Sequence, residues 1–189
     1  NKNFVEVNLD EEIDLNDLRL LGFEYTDGFW SKYSNGHCFD NKDKECCEFY
    51  LNIMKKYSKK QLEIENKYNK RDSLYTFGFG YINKFTLLMP FIYNCQRKKE
   101  LDITILSRLS SSQFSSFIGG AIDGDGSVGE RCIDIHNFEN DGDDVKKLYN
   151  LLAKNGVFSF QNKNMVHIPF NQFNKKFFEG MIITQSKRK

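Results

Sequence analysis

One stretch constrains this 189-residue chain more than any other: Phe117-Ile118-Gly119-Gly120-Ala121-Ile122-Asp123-Gly124-Asp125-Gly126-Ser127-Val128. It reads as an apolar helix that ends in acids. Gly119 and Gly120 carry no side chain, so another backbone can approach that face closely. A carboxylate at a helix C-terminus faces the negative end of the dipole, which disfavours it by about 0.3–1 kcal/mol. A weaker copy, Leu20-Leu21-Gly22-Phe23-Glu24-Tyr25-Thr26-Asp27-Gly28, keeps the glycine, the last acid and the final glycine in register. Tyr25 stands where the second copy has Asp123. If Gly22, Gly119 and Gly120 let the two helices meet, Asp27 and Asp125 come together and repel. A divalent cation between them reverses that repulsion, and hard oxygen ligands suit Mg²⁺.

The periodicities around these helices repeat. Asp14 or Asn16 caps a helix to about Asp27, and Phe29 to Phe39 reads as a hairpin turning at Asn35-Gly36. Cys46 to about Asn66 has helical spacing, Lys67 to Asp72 is a charged break, and Leu74 to Tyr81 reads as strand. Lys84 to Cys95 is expected to be helical, with Pro90 kinking or restarting it. After the connector Gln96 to Ser112 comes the helix Gln113 to Asp123, then Ser127 to Phe138 as strand with Ile133 and Ile135 on one face. A helix over Val145 to Asn155 is stopped by Gly156, followed by a hairpin about 162–164 and a last helix from Phe170 to Met181. The chain's two prolines stand in matching strings, Met89-Pro90-Phe91 before Arg97-Lys98-Lys99 and Ile168-Pro169-Phe170 before Lys175-Lys176. The resulting division is a lead-in (1–13), a first repeat (14–100), a linker (101–112), a second repeat (113–185) and a basic tail (186–189).

Composition narrows the class. No apolar run is long enough to span a membrane, and no apolar targeting segment opens the chain. Five cysteines without C-x-x-C spacing argue against a disulfide framework or a zinc site and for a reducing compartment. Abundant Asn, Lys, Phe and Tyr point to an AT-rich genome, such as that of a mitochondrion or a phage. Net charge is +1, but residues 1–28 hold eight acids and two bases, whereas 29–100 hold eight acids and fourteen bases. The basic middle is either a phosphate footprint or a solvated surface. The chain opens on Asn1 rather than Met, so an upstream segment is expected.

The twelve residues Phe117 to Val128 resemble the LAGLIDADG signature of homing endonucleases, and Leu20 to Gly28 looks like a degenerate first copy. The resemblance implies an α+β fold of two pseudo-symmetric αββαββα repeats, with paired central helices and saddle-shaped sheets astride double-stranded DNA. It implies a monomeric, metal-dependent, site-specific nuclease. Asp27 and Asp125 would bind Mg²⁺ beside Gly28 and Gly126, and Asp123 would bond backbone donors at its helix end. The family also keeps a base near the scissile phosphate after the Pro-Phe string, which makes Lys98 and Lys175 candidates. The same fold also suits a non-cutting nucleic-acid binder, such as an intron maturase or a component of an RNA–protein assembly. A calcium loop does not fit, because its sixth position would be Val128 and its twelfth Asp134. Splicing residues of an intein are absent from both ends. Trp30, Lys32 and Tyr33 are either DNA contacts or core, Glu130, Asp134 and His136 would share a strand face hostile to phosphate, and His37 and His167 lack obvious partners.

Overall fold

Helix α1 (Leu15–Asp27) starts where the Asp14 side chain accepts a bond from the Asn16 amide. It runs into β1 (Gly28–Ser31), β2 (Gly36–Asn41), α2 (Lys44–Lys55), β3 (Glu65–Asn69) and β4 (Asp72–Gly80). A 3₁₀ turn at Met89–Phe91 and a short α3 (Ile103–Leu106) lead to α4 (Ser111–Asp125), opened by a capping box between Ser110 and Gln113. The second half continues with β5 (Gly126–Val128), β6 (Cys132–Ile135), α5 (Asp143–Lys154), β7 (Phe160–Asn162), β8 (Met165–Pro169) and α6 (Lys175–Glu179). The structure, a computed structural model, describes residues 13–31, 36–56, 63–69, 72–80, 87–136, 143–179 and 181. The basic tail, Lys32, Tyr33 and most of the lead-in lie outside them.

The two halves share one topology. Each has a four-stranded antiparallel sheet, ordered β1-β2-β4-β3 and β5-β6-β8-β7. Its central helix enters the first strand through an extended glycine, Gly28 or Gly126. The fold is therefore the expected α+β pair of αββαββα repeats, with α1 and α4 packed against each other at the centre. Strand alternation sends Phe39, Phe77, Ile133, Ile135, Val166 and Ile168 inward. In the first half Phe23 stacks on Tyr50 at 4.0 Å and on Phe39 at 5.5 Å, with Phe77 against Phe39 at 5.0 Å. Apolar stripes of α2 (Cys46, Cys47, Tyr50, Leu51, Met54) and α5 (Val145, Leu148, Leu151, Leu152) close the same core.

Several expected boundaries change. The helix from Cys46 does not reach Asn66: α2 ends at Lys55, and Glu65–Asn69, including part of the supposed charged break, pairs with β4. Pairing with β4 outweighs the local helical spacing there. Ser127 to Phe138 is not one strand but a hairpin, because Gly129 to Arg131 turn and the Gly129 amide donates to Cys132 O. Of the expected helix Lys84 to Cys95, residues 84–86 lie outside the described ones, and the described residues around Pro90 form a 3₁₀ turn, since proline supplies no N–H for a continuing helix. The last helix shrinks to Lys175–Glu179, because Asn174 spends its side chain holding Phe158 and Pro169.

The central contact depends on two glycines. A Cβ on Gly22 would overlap the Phe117 carbonyl and lie 2.9 Å from the Ala121 amide. A Cβ on Gly120 would overlap the Arg19 carbonyl and lie 2.9 Å from the Phe23 amide. In each case the clash is with backbone, which cannot turn aside. Gly120→Ala should therefore cost about 3 kcal/mol or more. Gly156→Ala, at φ +72° with open space around it, should cost about 1 kcal/mol. Urea unfolding of the two variants reads the difference.

Candidate active site

The glycine contact brings the two helix C-termini side by side. Asp27 ends α1 and Asp125 ends α4, and both are half-buried. The Asp27 carboxyl carbon lies 3.3 Å from where a Gly124 Cβ would stand, so the acid of one helix rests against the last turn of the other. Asn41, at the end of β2, donates its side-chain amide to Asp27 and orients it. Gly28 and Gly126 are not needed for unusual torsions, since both are extended. Their amides bond Glu24 O and Ile122 O, and a Cβ at either position would strike the preceding helical turn. The fold thus uses them to turn tightly from helix to strand behind each acid. Of the other interface glycines, Gly119 is buried, and Gly124 is an addition that the sequence did not single out: its missing Cβ leaves room for Thr26.

Asp123 requires a correction. It accepts from side chains on α1 and α2. Its carboxylate is fully buried and takes three side-chain bonds, from Arg19 Nη2 at 2.6 Å, Arg19 Nε at 3.2 Å and Tyr50 Oη at 2.6 Å. Burial works against the Arg19 charge, but Tyr50 and Asp123 more than offset it and hold the guanidinium above its ordinary value. Burial, then the charge of Asp123, pushes the Tyr50 phenol well up, so it remains a donor. At the related place in the other half, Phe117 meets Tyr25 with ring centroids 6.4 Å apart, and Tyr25 Oη donates to Asp144 at 2.8 Å. Tyr25 is therefore a matched exchange of a charged pair for an aromatic one.

The basic candidates also change. Lys98 is exposed, in a turn where its amide donates to Asn94 Oδ1 at 3.1 Å. Its neighbour Lys99 is the residue that reaches the site, donating from Nζ to the Thr26 carbonyl at 3.0 Å. Three consecutive bases gave sequence reasoning no way to choose, and the Arg97 turn (φ 59°) and the Tyr93–Lys99 bridge decide the direction. Lys175 is exposed near Glu179 at 3.8 Å. Its helix docks through Phe177, whose carbonyl accepts from Ser115 Oγ at 3.4 Å. Ser115 precedes Asp125 by ten residues, roughly 15 Å along the axis, so Lys175 sits at the wrong end of α4.

Both dismissed histidines have partners. His37 Nδ1 is 3.0 Å from buried Glu24, which also accepts from Tyr93 Oη at 2.7 Å. His167 Nδ1 is 2.6 Å from Asp134, and Glu130 lies in the turn rather than on their strand face. Trp30 is half-buried, edge-on to His37, with the Arg97 guanidinium 4.8 Å over its ring.

This architecture recurs among solved structures. The homing endonuclease I-WcaI bound to its DNA recognition sequence has a TM-score of 0.69 at 13% identity, over 93% of this chain and 85% of that one. I-DmoI in complex with DNA and Mn gives 0.60 at 11% identity, over 91% and 99%. The chain has the LAGLIDADG homing-endonuclease fold. The N-terminal LAGLIDADG domain of DUF199/WhiA shares it, with a TM-score of 0.53 at 17% identity over 95% and 87%. Full-length DUF199/WhiA from Thermatoga maritima gives 0.58 at 19% identity, and there the match spans only 60% of the longer protein. By sequence alone, no family model and no curated protein matches. The LAGLIDADG helices are thus identified by geometry, with Asp27 and Asp125 at their paired ends.

Removing Arg19 should leave the buried Asp123 carboxylate without its cation. Arg19→Met is expected to cost about 3–5 kcal/mol, and the pair Arg19→Met with Asp123→Leu to recover most of it. Denaturant midpoints of the two variants check this. Burial, then Asp27, pushes the Cys47 thiol up to about 12, and burial likewise raises Cys46, whereas Cys95 is exposed. A thiol reagent at neutral pH should modify Cys95 in the native protein and reach Cys46 and Cys47 only after unfolding, as peptide mass spectrometry will show.

Proposed function

We propose that this chain is a sequence-specific, Mg²⁺-dependent double-strand DNA endonuclease, monomeric with an internal pseudo-twofold. The observation that carries the reading is the pair of half-buried acids at equivalent helix ends, Asp27 against the last turn of α4 and Asp125 closing that turn. Their oxygens are hard ligands facing two dipole C-termini, so the donor set fits a divalent ion. Such an ion would supply an activated water and stabilise the leaving oxygen of a phosphodiester. Asn41 fixes the Asp27 carboxylate, and Lys99 brings a positive charge to the same helix end. I-DmoI has been crystallised with DNA in the presence of Mn, Ca and Mg, which is consistent with this chemistry. The AT-rich composition fits an organellar or phage gene product working in a reducing compartment.

A second reading, a non-cutting binder of intron or structural RNA, is favoured by one observation. Among the described residues, the strands contain a single lysine, Lys67, against four acids, Asp40, Glu65, Asp72 and Asp134. A sheet that grips duplex phosphates normally brings more positive charge. The two readings part in one experiment. The protein with Mg²⁺ is incubated with a randomised duplex library and, separately, with the uninterrupted target of its host intron. Discrete double-strand breaks are expected. Asp27→Asn and Asp125→Asn should each slow cutting at least about 100-fold, the scale lost when a group that stabilises transition-state charge is removed, while duplex binding persists. Tight binding of intron RNA with no cleavage would favour the second reading.

A further inference from the structure

The outward face of the second sheet gathers three side chains of metal-ligand chemistry away from the paired acids. Asp134 on β6 and His167 on β8 are direct cross-strand partners, with His167 Nδ1 2.6 Å from Asp134 Oδ1. Cys132 lies two residues earlier on β6, hence on the same face, with Sγ 3.4 Å from the same Asp134 oxygen. One ligand atom from each residue falls within 4.8 Å of the others, and all three residues are half-buried. A tetrahedral ion with bonds of about 2.0–2.3 Å sets its donors roughly 3.3–3.7 Å apart, so the Cys132–Asp134 spacing already suits it and the His167–Asp134 pair opens slightly to admit it. The remaining ring nitrogen of His167 lies 3.0 Å from Asn162 Nδ2, which fixes the imidazole plane as an outer partner does at a metal site.

The first half shows that the fold does not require this trio. By strand register, Gly36, Cys38 and Gly78 occupy the positions of Cys132, Asp134 and His167. The cluster therefore belongs to one half only, on strands β5 to β8 that carry no lysine or arginine.

We propose that Cys132, Asp134 and His167 form a binding site for a borderline-soft divalent cation of the Zn²⁺ type. Its fourth position stays open to water or to an oxygen of a bound nucleic acid. A thiolate and an imidazole select against Mg²⁺, so this site is chemically distinct from the acids at the helix ends. Binding ties β6 to β8 and neutralises the charge of Asp134. The proton balance is definite. The Cys132 thiol loses its proton to the buffer as the metal–sulfur bond forms. His167 keeps one proton, moved from Nδ1 to Nε2, and Asn162 turns its amide oxygen toward it. Because the thiol must lose its proton for the metal–sulfur bond to form, binding weakens as pH falls. The inference does not rest on DNA cutting.

The test is a Co²⁺ titration of the metal-stripped full chain, followed by Zn²⁺ competition. One equivalent should give tetrahedral d–d absorption and a thiolate-to-cobalt charge-transfer band, both erased by Zn²⁺. Cys132→Ser should abolish the charge-transfer band, and His167→Gln should abolish tight binding, with circular dichroism confirming that each variant is folded. Cys38→Ser and Asp125→Asn should leave the band unchanged. A wild-type protein without the band, or a band that survives in Cys132→Ser, overturns the site.

Discussion

The rest of the molecule depends on backbone meeting backbone between α1 and α4. Gly22 faces the Phe117 carbonyl and Gly120 faces the Arg19 carbonyl, a reciprocal pair in which each glycine stands three residues after the carbonyl its counterpart meets. That closeness sets the axis between the halves and fixes which helix ends are neighbours. Asp27 rests against the last turn of α4, which Asp125 closes, because nothing larger than hydrogen separates the helices further up. Their arrangement costs electrostatic energy, two carboxylates at two negative dipole ends, and core packing supplies the restraint that keeps them there.

Around that axis the halves keep the same geometry with different chemistry. Position 19 meets position 123, and position 117 meets position 25. One relation is a buried ion pair closed by the Tyr50 hydroxyl; the other is an aromatic contact closed by the Tyr25 hydroxyl on Asp144. A duplicated chain can exchange one pair for the other only if both partners change together, because Asp123 without Arg19 would be an uncompensated buried charge. The loss of an acid at Tyr25 therefore belongs to the packing between halves. The acids that end the two helices, two residues further on, are present in both. The second sheet has diverged in its own way, by placing Cys132, Asp134 and His167 where the first has Gly36, Cys38 and Gly78.

The sequence was legible wherever an argument was local. Asp14 capping α1, the alternation of Ile133 and Ile135, and Gly156 ending α5 all follow from neighbours a few residues away. It misled where pairing at long range outweighed local pattern. Glu65–Asn69 looks like the tail of a helix and becomes a strand because β4 offers a ladder. His37 and His167 looked solitary because their partners, Glu24 and Asp134, are brought to them by the fold.

The sequence by itself determined the two apolar helices, the side-chain-free positions that let them touch, and the acids Asp27 and Asp125 that end them. Residue type and helical period settle those, since they need only the turn on which each residue sits. Tertiary structure decided the rest. It made Asp123 the partner of Arg19, selected Lys99 over Lys98, and left Lys175 at the far end of α4. Those outcomes depend on where a side chain points once turns, bridges and helix docking have set its direction, and that information is spread over residues far apart in the chain.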